Sequence, residues 1–400
     1  MSSGVKQRLS EFYSTISDDL DRSVEFWLKH SVDEEQGGFF QCLDADGEVY
    51  DTTKYTWLLS RQVWTFARLY QDMDRFRLPN ILEVAKKGAE FVMKHVKNPE
   101  NSKCYFSLTR EGQPIKIQRT IFSECFYVLA MSEMYRVLKE DIYKKEAMAM
   151  MKQIVHWVRV DNSGLGIPLV PPKATSSLGV PMMLLCLIDQ METMDPAHGA
   201  NFNDLADWCI ARVLKHVQRN GTVVLETVSE DGEEVGGSAG RLMNPGHVIE
   251  AGWFLLERAG KSGNEELQKT ALETFMLEAF HRGWDTEHGG ILYFVDVDGR
   301  PPAQLEWDMK LWWPHNEAMI AFLKAYKHTS DEKYLEKFAQ VFDYSYQHFA
   351  DTQKGEWFGY LSREGQVKIN AKGGPWKGCF HVPRSLMMCE QLLHEILQTQ

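Results

Sequence analysis

Apolar residues recur at helical spacing along almost the whole chain, and the pattern breaks at short, nearly regular intervals. Residues three and four apart share one helical face. The pattern therefore predicts helices over 6–30, 54–72, 80–97, 117–138, 140–159, 177–194, 201–218, 245–259, 264–281, 307–328, 331–349 and 380–397. These twelve alternate in character. The odd ones carry charge on one face, as in Asp331-Glu332-Lys333 and Glu336-Lys337. The even ones are apolar on most sides, as in Pro181-Met182-Met183-Leu184-Leu185-Cys186-Leu187-Ile188 and Trp253-Phe254-Leu255-Leu256. A helix that is apolar nearly all round is buried between layers. The even helices are thus expected to form an inner ring, and the odd helices an outer, solvated one.

The breaks resemble one another. Gly37-Gly38-Phe39-Phe40 runs into Asp46-Gly47, Cys104-Tyr105-Phe106 into Glu111-Gly112, and Gly221-Thr222-Val223-Val224 into Asp231-Gly232. Gly289-Gly290-Ile291-Leu292-Tyr293 leads to Asp298-Gly299, and Gly355-Glu356-Trp357-Phe358-Gly359-Tyr360 to Glu364-Gly365. Each is a short β-prone run followed by an acidic–glycine turn, which reads as a hairpin or extended loop. A weaker copy is Gly164-Leu165-Gly166-Ile167-Pro168. The copies start 57 to 68 residues apart, giving six units with room for two helices and a loop each. The expected architecture is all-α: an (α/α)6 barrel, or toroid, of six helical hairpins with short β-hairpin loops, formed by residues 1–400 as a single domain. An open solenoid is the alternative. Its last repeat would need a polar outer face, whereas the final helix carries Leu386, Met387 and Met388.

Composition changes the setting more than the fold. Apolar residues make up 44% of the 400, enough for a large core, and charged residues 25%. A net charge of −12 gives no general attraction to nucleic acid or to an acidic membrane surface. It leaves room for a local basic pocket. The seven cysteines form no CxxC pair and fit a reducing compartment. Met1-Ser2-Ser3-Gly4 runs into a charged amphipathic segment with no signal-peptide pattern, and the longest apolar run, residues 180–188, is too short to span a bilayer. The expected location is the cytoplasm.

Candidate chemistry gathers where inner helices begin. Pro181, Pro245, Pro314 and Pro383 mark those starts, because proline is tolerated in a first helical turn. Beside them stand Asn244 and His247, His315 and Glu317, and His381 and Arg384; Arg61 and Glu124 lie early in the second and fourth helices. If the inner helices run the same way, these side chains surround one mouth of the barrel, where helix N-termini favour an anionic ligand or intermediate. Trp57, Trp64, Trp253, Trp312, Trp313 and Trp376 crowd the same positions and together suggest a sugar-binding cavity. No metal motif is present; His315 and Glu317 are two apart and do not share a helical face. His315 reads as a structural histidine. His247 has Glu250 one turn later, and His381 has Arg384. From the residues alone, these two are equally an acid–base pair or two structural histidines.

Four segments resemble the N-acylglucosamine 2-epimerase family, most of all its animal branch, which is associated with renin binding. They are Arg61-Gln62-Val63-Trp64, Asn244-Pro245-Gly246-His247-Val248-Ile249-Glu250-Ala251-Gly252-Trp253, Trp312-Trp313-Pro314-His315-Asn316-Glu317-Ala318 and Lys377-Gly378-Cys379-Phe380-His381-Val382-Pro383-Arg384. The likeness runs in order over essentially the full chain. It implies reversible interconversion of N-acetylglucosamine and N-acetylmannosamine on a six-hairpin barrel, with His247 and His381 as acid–base histidines. Arg61, Glu250, Glu317, Arg384 and Trp312 are the accompanying substrate-site residues. It also implies a homodimer and stimulation by ATP or another nucleotide that is not consumed; renin binding is a further implied partner.

Inverting C2 requires removing a hydrogen beside the aldehyde of the opened sugar and returning a proton to the other face. Histidine, with an ordinary pKa of about 6.5, can accept or donate near neutrality. Arg61 or Arg384 is placed to stabilise the developing oxyanion, while Glu317 either orients a histidine or holds hydroxyls. Gly373-Gly374-Pro375-Trp376-Lys377-Gly378 lacks the order of a phosphate-binding loop and reads as a turn into the last helix. Cys379 reads as a neighbour of His381 and not as a nucleophile. Three other functions compete: another sugar epimerisation or aldose–ketose isomerisation, inverting glycoside hydrolysis, and a purely binding role. Hydrolysis would need two opposed carboxylates, whereas this mouth is richer in histidine and arginine.

Overall fold

The computed structural model describes residues 3–166, 174–196 and 202–399. Twelve helices follow one another: α1 (Ser3–His30), α2 (Thr56–Asp72), α3 (Pro79–His95), α4 (Phe122–Leu138), α5 (Asp141–Arg159) and α6 (Gly179–Met194). Then come α7 (Asn203–Leu214), α8 (Pro245–Ser262), α9 (265–283), α10 (Trp312–Thr329), α11 (Glu332–His348) and α12 (His381–Thr399). Helix α9 passes through a π-helical stretch, Ala271–Glu278, without breaking.

The even helices pack side by side in a ring, and each odd helix lies against the even one before it. The exception closes the circle. Helix α1 has no predecessor and packs on α12, while α12 also meets α2. Thr65 Oγ1 donates to the Cys379 carbonyl at 2.8 Å, and the Trp64 and Phe380 rings meet at 5.3 Å. A solenoid would leave these surfaces open; the chain is an (α/α)6 toroid. Burial follows the expected division. In α10 every residue from Trp312 to Leu323 is buried, whereas α1 buries one stripe through Leu9, Phe12, Ile16, Leu20, Val24 and Trp27.

Helices α2, α4, α6 and α10 start two to five residues later than the apolar pattern predicts. In α2 and α10 the residues just before the start are strands, Lys54–Tyr55 and Lys310–Leu311, and α6 is preceded closely by Thr175–Ser177. These short strands pair mostly between units. Lys54–Tyr55 pairs with Tyr105–Leu108, Thr175–Ser177 with Thr227–Ser229, Leu242–Met243 with Val295–Asp296, and Lys310–Leu311 with Tyr360–Leu361. A bridge from Asp44 to Ala371 joins the first unit to the last.

The acidic–glycine turns recur as expected. At Gly47, Gly112, Gly232, Gly299 and Gly365 the N–H bonds to the carbonyl three residues back, with φ between 72° and 93°, where glycine carries no steric penalty. The weaker sixth copy falls partly on residues 167–168, outside the described residues.

Candidate active site

The inner helices N-terminal ends and the loops around them enclose a cavity of about 690 Å³. Arg61, His247, Glu250, Trp312, His381 and Arg384 all line it. Local sequence puts His247 there. Pro245 opens α8, and the Asn244 side chain caps it by accepting the His247 N–H at 3.1 Å. Gly246 leaves room for the Trp313 ring; a Cβ there would stand 2.6 Å from that ring. His381 is the first residue of α12. Both imidazoles border the same indole: Trp313 lies 5.1 Å from His247 and 6.0 Å from His381, centroid to centroid.

Each histidine has its own carboxylate, but neither partner is the one its spacing suggests. His247 Nδ1 lies 3.1 and 3.2 Å from the two oxygens of Glu226, a loop residue, and not on Glu250. His381 Nδ1 lies 2.7 Å from Glu317 Oε1. Among the described residues, Nε2 of neither ring has a hydrogen-bond partner. Glu317 is fully buried behind the cavity wall, where it also accepts from Arg384 and, at 3.1 Å, from Trp253 Nε1. Of the two roles open to Glu317, its position fits orienting a histidine, since it does not reach the substrate space. Arg384 extends from Glu317 to Glu250, 3.2 Å away.

The pKa values of the two imidazoles are pushed in opposite directions. Burial works against a charge on His247, but Glu226, with Glu250 and Glu317 behind it, outweighs that and raises its pKa. For His381 burial prevails, and Arg61 and Arg384 add to it, so the pKa falls to about 3 despite Glu317. Near neutrality His381 is a neutral ring that donates Nδ1–H to Glu317 and keeps a lone pair on Nε2, while Glu226 shifts His247 toward its protonated form. Paired groups pushed apart in this way suit one base and one acid. Burial, and next the nearby Glu317 carboxylate, push the Glu250 pKa upward.

Arg61 makes no ion pair among the described residues. Its guanidinium lies 3.9 Å from the Phe126 ring, 5.0 Å from Phe380 and 5.4 Å from Trp57, and burial followed by Arg384 lowers its pKa to about 9. It remains a cation with donors to spare in the cavity.

Other singled-out residues lie elsewhere. His315 is fully buried, accepting the Ile291 N–H at 2.9 Å and lying 2.7 Å from the Leu311 carbonyl, a structural role. Glu124 pairs with Lys103 at 2.7 Å, away from the cavity. In the 373–378 turn, Lys377 is engaged by Glu356 at 2.6 Å and the Gly373 N–H by the Leu43 carbonyl. Cys379 is buried. Among the described residues no three His, Cys, Asp or Glu side chains converge as metal ligands would, and no helix is long and apolar enough to cross a membrane. The sequence pattern did not single out Glu226, Tyr293 and Glu306, which line the cavity from loops, or Tyr360, which lines it from a short strand.

The profile of the N-acylglucosamine 2-epimerase (GlcNAc 2-epimerase) family matches residues 38–383. The N-acylglucosamine 2-epimerase of Bos taurus is 54% identical over 394 residues, covering 98% of this chain and 93% of that protein. The human protein of the same name is 51% identical, covering 98% and 92%. The solved structure of cellobiose 2-epimerase from Spirochaeta thermophila superposes with a TM-score of 0.83 at 20% identity, over 99% of this chain and all of that one; at that identity it speaks for the fold alone. The chain is therefore an isomerase that belongs to the N-acylglucosamine 2-epimerase family.

Proposed function

We propose that this chain reversibly epimerises N-acetylglucosamine and N-acetylmannosamine at C2, acting through the opened sugar, and that residues 1–400 serve as one catalytic domain. The observation that carries the reading is the pair of imidazoles on one cavity. His381 is held neutral by burial and His247 is biased toward its cation by Glu226. His381 Nε2 takes the C2 proton from one epimer, leaving a planar C1–C2 enolate that keeps the acetamido nitrogen on C2. Arg61 and Arg384 neutralise the oxyanion as it develops. His247 Nε2 then delivers a proton to the opposite face of C2. The reverse reaction runs through the same groups with their roles exchanged, and each imidazole regains its starting state by exchange with water. Glu250, Trp312 and the loop residues hold the substrate hydroxyls and ring. Glu317 keeps the His381 ring in one tautomer and fixes Arg384.

The names of the mammalian relatives support an N-acylglucosamine substrate. We also propose a nucleotide-stimulated, cytoplasmic homodimer, as the family likeness implies, with renin as a possible animal-type partner. The reading is tested by incubating N-acetylglucosamine with the protein and ATP in D₂O and following it by NMR. N-acetylmannosamine carrying deuterium at C2 is the expected product. A folded sample that forms none would overturn the reading.

A further inference from the structure

Beyond the reacting groups, the cavity has a second, chemically different wall. Along α6, Gly179, Met182, Met183 and Cys186 all face it. Their spacing of three and four residues makes one helical stripe about 10 Å long. Phe122 and Phe126 of α4 complete this wall, and a Cβ on Gly179 would stand 3.7 Å from the Phe122 ring. The stripe is anchored at the reactive end. Cys186 is close enough to Arg384 and Glu250 for both charges to act on its thiol, and Phe126 lies directly on Arg61. It therefore runs from the Arg384–Glu250 corner toward Gly179. Cys186 is also the part-exposed member of a set of seven cysteines whose other six are buried.

A substrate whose C2 hydrogen lies between His247 and His381 must direct the other C2 substituent somewhere nearby. Hydroxyls are served by the Glu, Arg and Trp side of the cavity. A methyl or longer alkyl group gains only from an apolar surface, at roughly 0.8 kcal/mol per buried CH₂. We propose that the α4–α6 wall is the subsite for the N-acyl group, with the amide near Cys186 and the alkyl end directed toward Gly179. The inference rests on the epimerase reading above and extends it to what sets acyl-chain selectivity. Methionine suits this role, because its unbranched, polarisable side chain adapts to chains of different length.

The test compares kcat/KM for N-acetyl-, N-propanoyl- and N-butanoylglucosamine in three proteins. Gly179→Ala narrows the far end of the stripe at a helical position with ordinary φ, where alanine favours the helix and places no atom under strain. Met182→Ala widens it. Relative to wild type, Gly179→Ala should lower the butanoyl/acetyl ratio about tenfold and Met182→Ala should raise it by a similar factor, the lower end of what one methylene contributes to discrimination. Should Met182→Ala fail to fold, Gly179→Ala decides by itself. Ratios within twofold of wild type in the folded variants would overturn the subsite while leaving the epimerase reading intact. A wild-type protein that epimerises none of the three sugars would overturn that reading, and the subsite with it.

Discussion

Glu226 raises the His247 pKa, whereas burial with Arg61 and Arg384 lowers that of His381 despite Glu317, and each carboxylate reaches its histidine from outside the helix that carries it. An opposite charge within hydrogen-bonding distance favours the charged form of a titrating group by about one to three pKa units. Replacing Glu226 with Gln removes that charge from His247 and lets burial lower its pKa. Activity that depends on the His247 imidazolium is lost as pH rises through its pKa. In Glu226→Gln the alkaline limb of kcat should therefore move to lower pH by about one unit, and Glu226→Asp should restore most of the shift. A pH–rate profile checks this; an unmoved limb would assign Glu226 a structural role only. The partners could not be read from spacing. Glu250 and Arg384 stand one turn from His247 and His381, as expected, yet Arg384 bonds to Glu250 and Glu317 and neither sits on its own helix's histidine. A helix fixes which residues share a face, not which neighbour brings a carboxylate to that face.

At the scale of elements, the helices and hairpins such as Tyr105–Leu108 with Pro114–Ile117 were legible, and the pairing of short strands between units was not. A helix of seventeen residues repeats its apolar signal several times, whereas Lys310–Leu311 is two residues long and is defined by its pairing with Tyr360–Leu361 in the next unit. The same pairing explains why Glu226 went unnoticed. Its carbonyl accepts the Leu178 N–H and its own N–H bonds to the Leu242 carbonyl, so two neighbouring segments hold it under His247. Buried ion pairs pin these loops at equivalent places. Lys54 meets Asp33 at 2.9 Å, Lys310 meets Asp285 at 2.8 Å and Lys372 meets Asp351 at 2.9 Å. Arg363 also reaches Asp285, at 3.0 Å. Burial alone would raise the Asp285 pKa, but Lys310 and Arg363 hold it well below the usual carboxylate range. That stability is present above the unfolded-state pKa of about 3.9 and is lost as pH falls toward the folded value. Asp285→Asn leaves Lys310 buried without its counter-charge and should cost about 3–5 kcal/mol at pH 7. Chemical denaturation should also show the wild-type advantage shrinking below pH 4. An advantage that is constant with pH would contradict this account.

At the scale of the whole molecule, the site exists because the chain ends meet. Helix α1 packs on α12, and Glu356 ties them further, accepting from Ser23 at 2.5 Å and Trp27 Nε1 at 2.6 Å while pairing with Lys377 just ahead of His381. Unit count and alternating apolar character made six hairpins readable. Closure was readable only indirectly, from the apolar last helix, because no local pattern records which surface two chain ends share. The ring brings Arg61, His247 and His381, from its second, eighth and twelfth helices, onto one cavity. In the proposed mechanism this cavity uses two histidines, one for each face of C2. His247→Asn and His381→Asn, each incubated separately with either epimer in D₂O, test it most directly by NMR. Each variant should lose interconversion by about a hundredfold or more. Each should still exchange the C2 proton of one epimer, a different one in the two cases, because the remaining imidazole can return deuterium to the face it took the proton from. Interconversion of both epimers at near wild-type rate by either variant, or loss of exchange with the same epimer in both, would contradict the account.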